Sequence, residues 1–195
     1  MSDPLTELGV ATGAAAASGI RLYGTIAALG LLQRFGVLHL PASLQVLANP
    51  IIIGLAGALY VAEFVADKVP AFDSVWDAVH TFIRIPAGAV LAFGMLGDVQ
   101  EPWRTAAALL GGAVALSAHG LKASARLAVN ASPEPFTNWG LSFSEDALVV
   151  ALLWLLVAHP FAALGVALGL VVLAALVAAR IVGAMRRLFG GPSAA

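Results

Sequence analysis

The chain has no cysteine, which excludes disulfides, thiolate metal sites and cysteine nucleophiles and leaves the redox compartment undetermined. Charge is scarce as well. Only 11% of the 195 residues are Asp, Glu, Lys or Arg, where soluble domains carry roughly 25%. The net charge of -1 leaves no basic footprint for nucleic acid. A P-loop, GxSxG, HExxH and a dinucleotide fingerprint are all missing, so no motif argues for a soluble-type enzyme and no cofactor is expected. The opening MSDPLTELG carries Asp3 and Glu7 where a signal peptide needs basic residues, and it is expected to be retained.

What the chain has in excess is apolar surface: 61% of it is hydrophobic and its mean hydropathy is +0.94. A water-soluble exterior cannot be assembled from this composition, so the expected partner is the lipid bilayer. A spanning helix needs about 20 mostly apolar residues, and six segments approach that length: 9–33, 48–67, 78–97, 103–128, 142–159 and 161–187. Asn49-Pro50 suits the start of the second, because Asn caps a helix and Pro is tolerated in its first turn. Ser144-Glu145-Asp146 suits the start of the fifth, with its acids as caps, and His159-Pro160 divides the fifth from the sixth. Trp76, Trp103 and Trp139 fall near span ends, where an aromatic belt would put them. Long Ala, Leu, Val and Gly runs favour helices over a barrel. The fold expected is therefore an all-α polytopic membrane protein, 1–195 forming one membrane domain with a short flexible tail at 188–195.

An internal similarity divides this domain. Aligning Gly19 with Gly120 pairs Ile20 with Leu121 and Arg21 with Lys122, and an apolar segment opened by a polar cluster follows in both places. Two three-helix repeats, 9–97 and 103–187, would then sit with opposite orientation, the arrangement typical of transporters with a site near the midplane. Basic residues set the orientation: with both termini cytoplasmic, Lys68, Lys122, Arg126, Arg180, Arg186 and Arg187 fall on or near the cytoplasmic side and Arg34 and Arg104 outside.

The scarce charge is concentrated in EFVADKVPAFDSVWDAVHTFIR, residues 63–84, which holds four of the eleven acidic residues, two of the ten basic ones and one of the four histidines. Glu63 and Asp67 are four apart at the end of the second span, and Asp73 and Asp77 repeat that step. Asp77, His80 and Arg84 share a helical face if the third helix begins near Ser74, with Asp73 as a cap. Ionisable groups at membrane depth are costly and point to an ion or proton pathway. Carboxylates with an imidazole suit a divalent cation, which makes Glu63, Asp67, Asp77 and His80 candidate metal ligands. They equally suit proton transfer, since His titrates near neutrality. Arg21 and Lys122 each follow a glycine deep in a span; they need counter-charges or attract an anion. Tyr23, Thr25, Ser117, His119 and Ser124 lie close enough in sequence to line the same space.

SGIRLYGTIAALGLLQRFG (18–36), followed by EFVADKVPAFDSVWDAVHTFIRIPAGA (63–89), resembles the small bacterial integral-membrane family called domain of unknown function 4126. The resemblance implies a helical membrane protein of about this length and no established activity, so it assigns no residue a role. The expected function is a small multi-pass transporter or channel of the bacterial inner membrane for an ion or small charged solute. Its site would comprise Glu63, Asp67, Asp77, His80, Arg84, Arg21 and Lys122. Two alternatives stand beside it: a structural membrane protein whose buried charges only pair helices, and an intramembrane enzyme using Asp77 and His80. A chain this short makes a thin pore wall, so a homodimer is expected, with Gly165 and Gly169 on a candidate contact face.

Overall fold

The computed structural model describes residues 3–131 and 136–189, so the expected tail lies outside them from residue 190 onward. Every regular element among the described residues is helical: α1 (Pro4–Ile20), α2 (Leu22–Arg34), a short 3₁₀ helix (Ala42–Ala48), α3 (Pro50–Ala66), α4 (Pro70–Met95), α5 (Glu101–Asn130), α6 (Phe136–Ala158) and α7 (Pro160–Phe189). Asn49 caps α3 as expected, its Oδ1 accepting from Ile51 N at 2.8 Å ahead of Pro50. His159 alone separates α6 from α7. Two expected boundaries move. α4 starts at Pro70 and not near Ser74, so Asp73 is buried inside its first turn and not at the cap. α6 starts at Phe136, which carries Glu145 and Asp146 well into the helix and removes them from the capping role expected of them.

α1 is the centre of the molecule. Its residues from Gly9 to Ile20 are buried except for Val10, with all five of its alanines, Ala11 and Ala14 to Ala17, fully enclosed. Small side chains make this possible: a Cβ at Gly19 would lie 2.5 Å from the Ala115 carbonyl oxygen, so the backbones of α1 and α5 approach this closely only because Gly19 has no side chain. α4, α5, α6 and α7 all pack against it.

The single segment expected over 9–33 is broken. Arg21 leaves the helical region (φ -136, ψ 86), and α2 starts immediately after it. The chain then turns back: Leu38, His39 and Pro41, which follow α2, border the same small cavity as Thr6, Glu7 and Val10 near the start of α1. α3 retraces α2, with Gly30 facing Leu47 and Ile53, and Gly24 facing Tyr60. This brings the end of α3 to the level of Arg21. α4 returns, and the pairings of Gly88 with Ala115 and Gly111 with Ala92 make α5 antiparallel to it. α6 runs against α1, placing Ser142 beside Arg21 and Leu156 beside Gly13. α7 runs with α1, Pro160 lying at Gly9 and Ala163 at Gly13.

Four helices are long and apolar enough to cross a membrane, spanning Phe72–Met95, Glu101–Asn130, Phe136–Ala158 and Pro160–Leu188. The 3₁₀ helix and α3, bent by 68°, make a fifth if taken as one broken span. Four to five candidate spans thus stand where six were expected, α1 with 17 residues and α2 with 13 being too short to count singly. Because α7 runs with α1, Pro4 and Leu188 lie at opposite ends of the bundle. The paired positions of the expected repeat also differ locally. Gly19 and Arg21 stand at a helix break, whereas Gly120 and Lys122 lie inside the uninterrupted α5.

Candidate functional site

Four helices, α3, α4, α5 and α6, bring polar residues to the level of Arg21 at steps of three, four and seven residues, the spacing that puts side chains on one helical face. α3 supplies Glu63 from its last turn, and Asp67 caps its end. α4 supplies Asp73, Asp77 and Arg84. α5 supplies His119, Lys122 and Arg126, and α6 supplies Asn138, Ser142 and Glu145. All of these are buried, several completely. Arg21 enters from the break between α1 and α2.

These side chains form one ionic network. Arg21 pairs with Asp67, with Glu145 at 3.3 Å and with Asp146 at 2.9 Å. Its Nη2 also donates to Ser142 Oγ at 2.9 Å. Arg84 pairs with Glu63 and, at 3.3 Å, with Asp77. Arg126 grips Glu145 with two bonds, Nε to Oε1 at 2.9 Å and Nη2 to Oε2 at 2.8 Å, the bidentate geometry that a guanidinium favours. Its Nη2 also donates to Asp67 Oδ2 at 3.1 Å. Asp73 stands at the edge, 4.0 Å from Arg126 and accepting from Asn130 Nδ2 at 2.9 Å.

Lys122 occupies the middle. Its Nζ lies 3.7 Å from Glu63, 3.5 Å from Asp67, 3.6 Å from Asp77 and 3.5 Å from Glu145. It donates to the Ile20 carbonyl at 3.4 Å, while Arg84 Nη1 reaches the Gly19 carbonyl at 3.5 Å. Two cations therefore meet the carbonyls at the C-terminus of α1, where the helix dipole favours positive charge. Six carboxylates, of Glu63, Asp67, Asp73, Asp77, Glu145 and Asp146, face the four cations of Arg21, Arg84, Lys122 and Arg126.

The histidines are held apart from the acids. His80 stacks on Trp76, ring centroids 4.3 Å apart, and its Nδ1 donates to the Trp76 carbonyl at 2.8 Å. Its Nε2 then accepts from the Tyr23 hydroxyl at 3.0 Å. His119 Nδ1 lies 2.8 Å from Arg84 Nη1 and must accept there, because a guanidinium only donates. That leaves its Nε2 to donate to Thr81 Oγ1 at 2.8 Å. Both imidazoles are thereby assigned as neutral tautomers. Lys68, in the turn beyond α3, is also outside the network. Its ammonium sits 3.0 Å from the centre of the Phe64 ring, and partial burial holds its pKa below the ordinary lysine value.

Of the expected site residues, Glu63, Asp67, Asp77, Arg84, Arg21 and Lys122 come together. His80 does not: it engages Trp76 and Tyr23 and bonds to no carboxylate among the described residues. No group of three His, Cys, Asp or Glu side chains among those residues converges as a metal ligand set, so the expected metal candidates do not form one. His80 makes no hydrogen bond to Asp77, the residue the enzyme alternative pairs it with; its ring nitrogens meet Trp76 and Tyr23. Arg126 and Glu145 are full members that the sequence reading missed. Their signals were the step of four from Lys122 to Arg126 and the stripe Asn138, Ser142, Glu145. A cavity of about 990 Å³ lies at the other end of the bundle, lined among others by Leu5, His39, Met95 and Trp103 and by no network residue.

A broken helix buried in protein and ending on a buried ionic network marks a helical protein of the multi-pass membrane kind, with its polar chemistry enclosed towards one end of the bundle. The chain belongs to the family described as Domain of unknown function (DUF4126), whose model matches residues 8–180 and so takes in every network residue. No curated protein and no solved structure matches the chain.

Proposed function

We propose that this protein is a small inner-membrane carrier for an ion or small charged solute, held here with its ionic network closed. One observation carries the reading. The α1–α2 hairpin breaks at Arg21, and the freed carbonyls of Gly19 and Ile20 end on that network. Irregular backbone at membrane depth is tolerated where it is buried in protein or lines a pathway, and carriers use such half-helix ends to hold ions. A scaffold has little use for this arrangement, because replacing buried ion pairs with packed apolar side chains is often neutral or stabilising.

The topology supports the same reading. α3 runs opposite to α6 and α4 opposite to α7, the relation an inverted repeat would require of those two pairs. Lys68, Arg180, Arg186 and Arg187 gather at one end, and Arg34 and Arg104 at the other. The positive-inside rule then favours a cytoplasmic end of α7. The start of α1, returned to its own side by the hairpin, faces outward. A second copy would meet the exposed face of α7 around Gly165 and Gly169, where no neighbouring atom approaches.

A second reading is favoured by the pairing itself: each buried carboxylate of the network has a basic partner within 4.0 Å, as a purely structural network would require. Flux in proteoliposomes, scanned over cations, anions and pH, separates the two. The carrier moves at least one solute above the empty-liposome background. Flux at background for every solute favours the structural reading.

A further inference from the structure

We propose that the cavity at the end of the bundle away from the ionic network binds a lipophilic organic cation, an apolar body carrying one positive charge. The cavity is walled by the first turns of α1, the connection after α2 and the turn between α4 and α5. Its volume of about 990 Å³ stands at the upper end of the roughly 300–1,000 Å³ of small-molecule sites. Leu8, Met95 and Leu110 give it an apolar interior. No network residue lines it, so the site is separate from the one in the carrier reading and does not depend on it.

Charge selects the occupant. Only 11% of the chain is charged, yet Glu7 and Asp98 both stand on this wall, and among the described residues no lysine or arginine does. Arg104, the basic residue nearest to Asp98 in the sequence, turns away. Its guanidinium lies 4.1 Å from the centre of the Phe93 ring, and its Nε donates to the Phe93 carbonyl at 3.4 Å. Glu7 and Glu101 stand in the first turns of α1 and α5 and meet the dipoles of those helices. Asp98 has no such duty: it is exposed in the turn before α5 and makes no hydrogen bond or ion pair among the described residues. A carboxylate beside low-dielectric walls attracts cations and repels anions. Trp103 adds an independent feature. Its side chain joins the same wall and is 67% exposed, and an indole face is the best aromatic partner for an organic cation. A metal ion would leave the apolar wall unused, and a fatty acid would meet carboxylates of its own sign.

Tetraphenylphosphonium and tetraphenylborate, alike in shape and opposite in charge, provide the test. Binding of each to the full chain in phosphatidylcholine nanodiscs is measured by equilibrium dialysis, with protein-free nanodiscs as background. The phosphonium is expected to bind saturably above background, and the borate to stay at background. Ala106→Trp, which fills the cavity from an exposed position on its wall, is expected to abolish that binding in a protein still folded by circular dichroism. Asp98→Asn and Trp103→Leu are each expected to weaken it about two- to fivefold, as loss of an exposed charge pair or cation–π contact would. Equal binding of both ions would reveal an apolar sink and overturn the proposal. Phosphonium binding at background would overturn it too, as would binding that survives Ala106→Trp unchanged. Should Ala106→Trp fail to fold, the two variants at exposed positions decide: unchanged affinity in both overturns the proposal.

Discussion

Asp67 accepts from two guanidinium groups, those of Arg21 and Arg126, and lies 3.5 Å from Lys122. Removing its charge leaves three buried cations short of an anion. Asp67→Asn is therefore expected to destabilise the folded protein by about 3–5 kcal/mol, the range for breaking a buried pair. Asp73→Asn is expected to cost about 1 kcal/mol, because its main partner is the neutral Asn130 amide and Arg126 stands 4.0 Å away. Denaturant unfolding in detergent measures both, and equal losses would contradict the hierarchy. At this scale much was legible in the sequence. Charged residues stranded in apolar stretches, at helical steps, identified Glu63, Asp67, Asp77, Arg84, Arg21 and Lys122. Arg126 and Glu145 escaped because each stood near a segment end, where snorkelling or capping is the ordinary explanation; longer helices drew both inward. His80 shares the helical step of Asp77 and Arg84, yet the Trp76 ring beside it holds it in another direction.

Among the elements, the contact between α1 and α5 depends on a missing side chain. Gly19→Ala would drive a methyl group to 2.5 Å from the Ala115 carbonyl oxygen, so the helices must separate, at a cost of about 1–3 kcal/mol. Gly120 meets nothing within 4 Å, and Gly120→Ala is expected to be neutral or to stabilise by up to about 1 kcal/mol through helix propensity. Thermal melts of the two variants check this directly. Opposite effects also measure how far these two glycines, aligned in sequence, have diverged in setting. Sequence periodicity located the apolar segments but not the break at Arg21. No proline marks that position, and an arginine is an ordinary helix former. The break becomes necessary only in three dimensions, where Asp67, Glu145 and Asp146 converge on the guanidinium.

For the whole molecule, one hairpin decides where the ends of the chain lie. The native absence of cysteine makes the consequence simple to check. Leu5→Cys and Arg34→Cys, both exposed and flanking the hairpin, are expected to react with an impermeant maleimide from one side of the membrane. Arg187→Cys is expected to react only from the other. Labelling of Leu5→Cys and Arg187→Cys from the same side would restore the six-span arrangement. Composition alone was enough to reveal a membrane protein, because its apolar excess leaves no alternative solvent. Counting spans was harder, since a helix that dips into a bundle and returns has the same hydropathy as one that crosses.

The central claim is that the buried network handles a solute and does more than clamp helices. Solute flux in proteoliposomes, compared between wild type and Asp77→Asn at matched folded content, tests it most directly. Asparagine keeps the shape of Asp77 and leaves Arg84 its bond to Glu63, so the variant is expected to remain folded. The account predicts flux above background in wild type and a loss of about tenfold or more in Asp77→Asn, corresponding to roughly 1.4 kcal/mol at the site. Wild-type flux indistinguishable from empty liposomes, or unchanged flux in the folded variant, would contradict it.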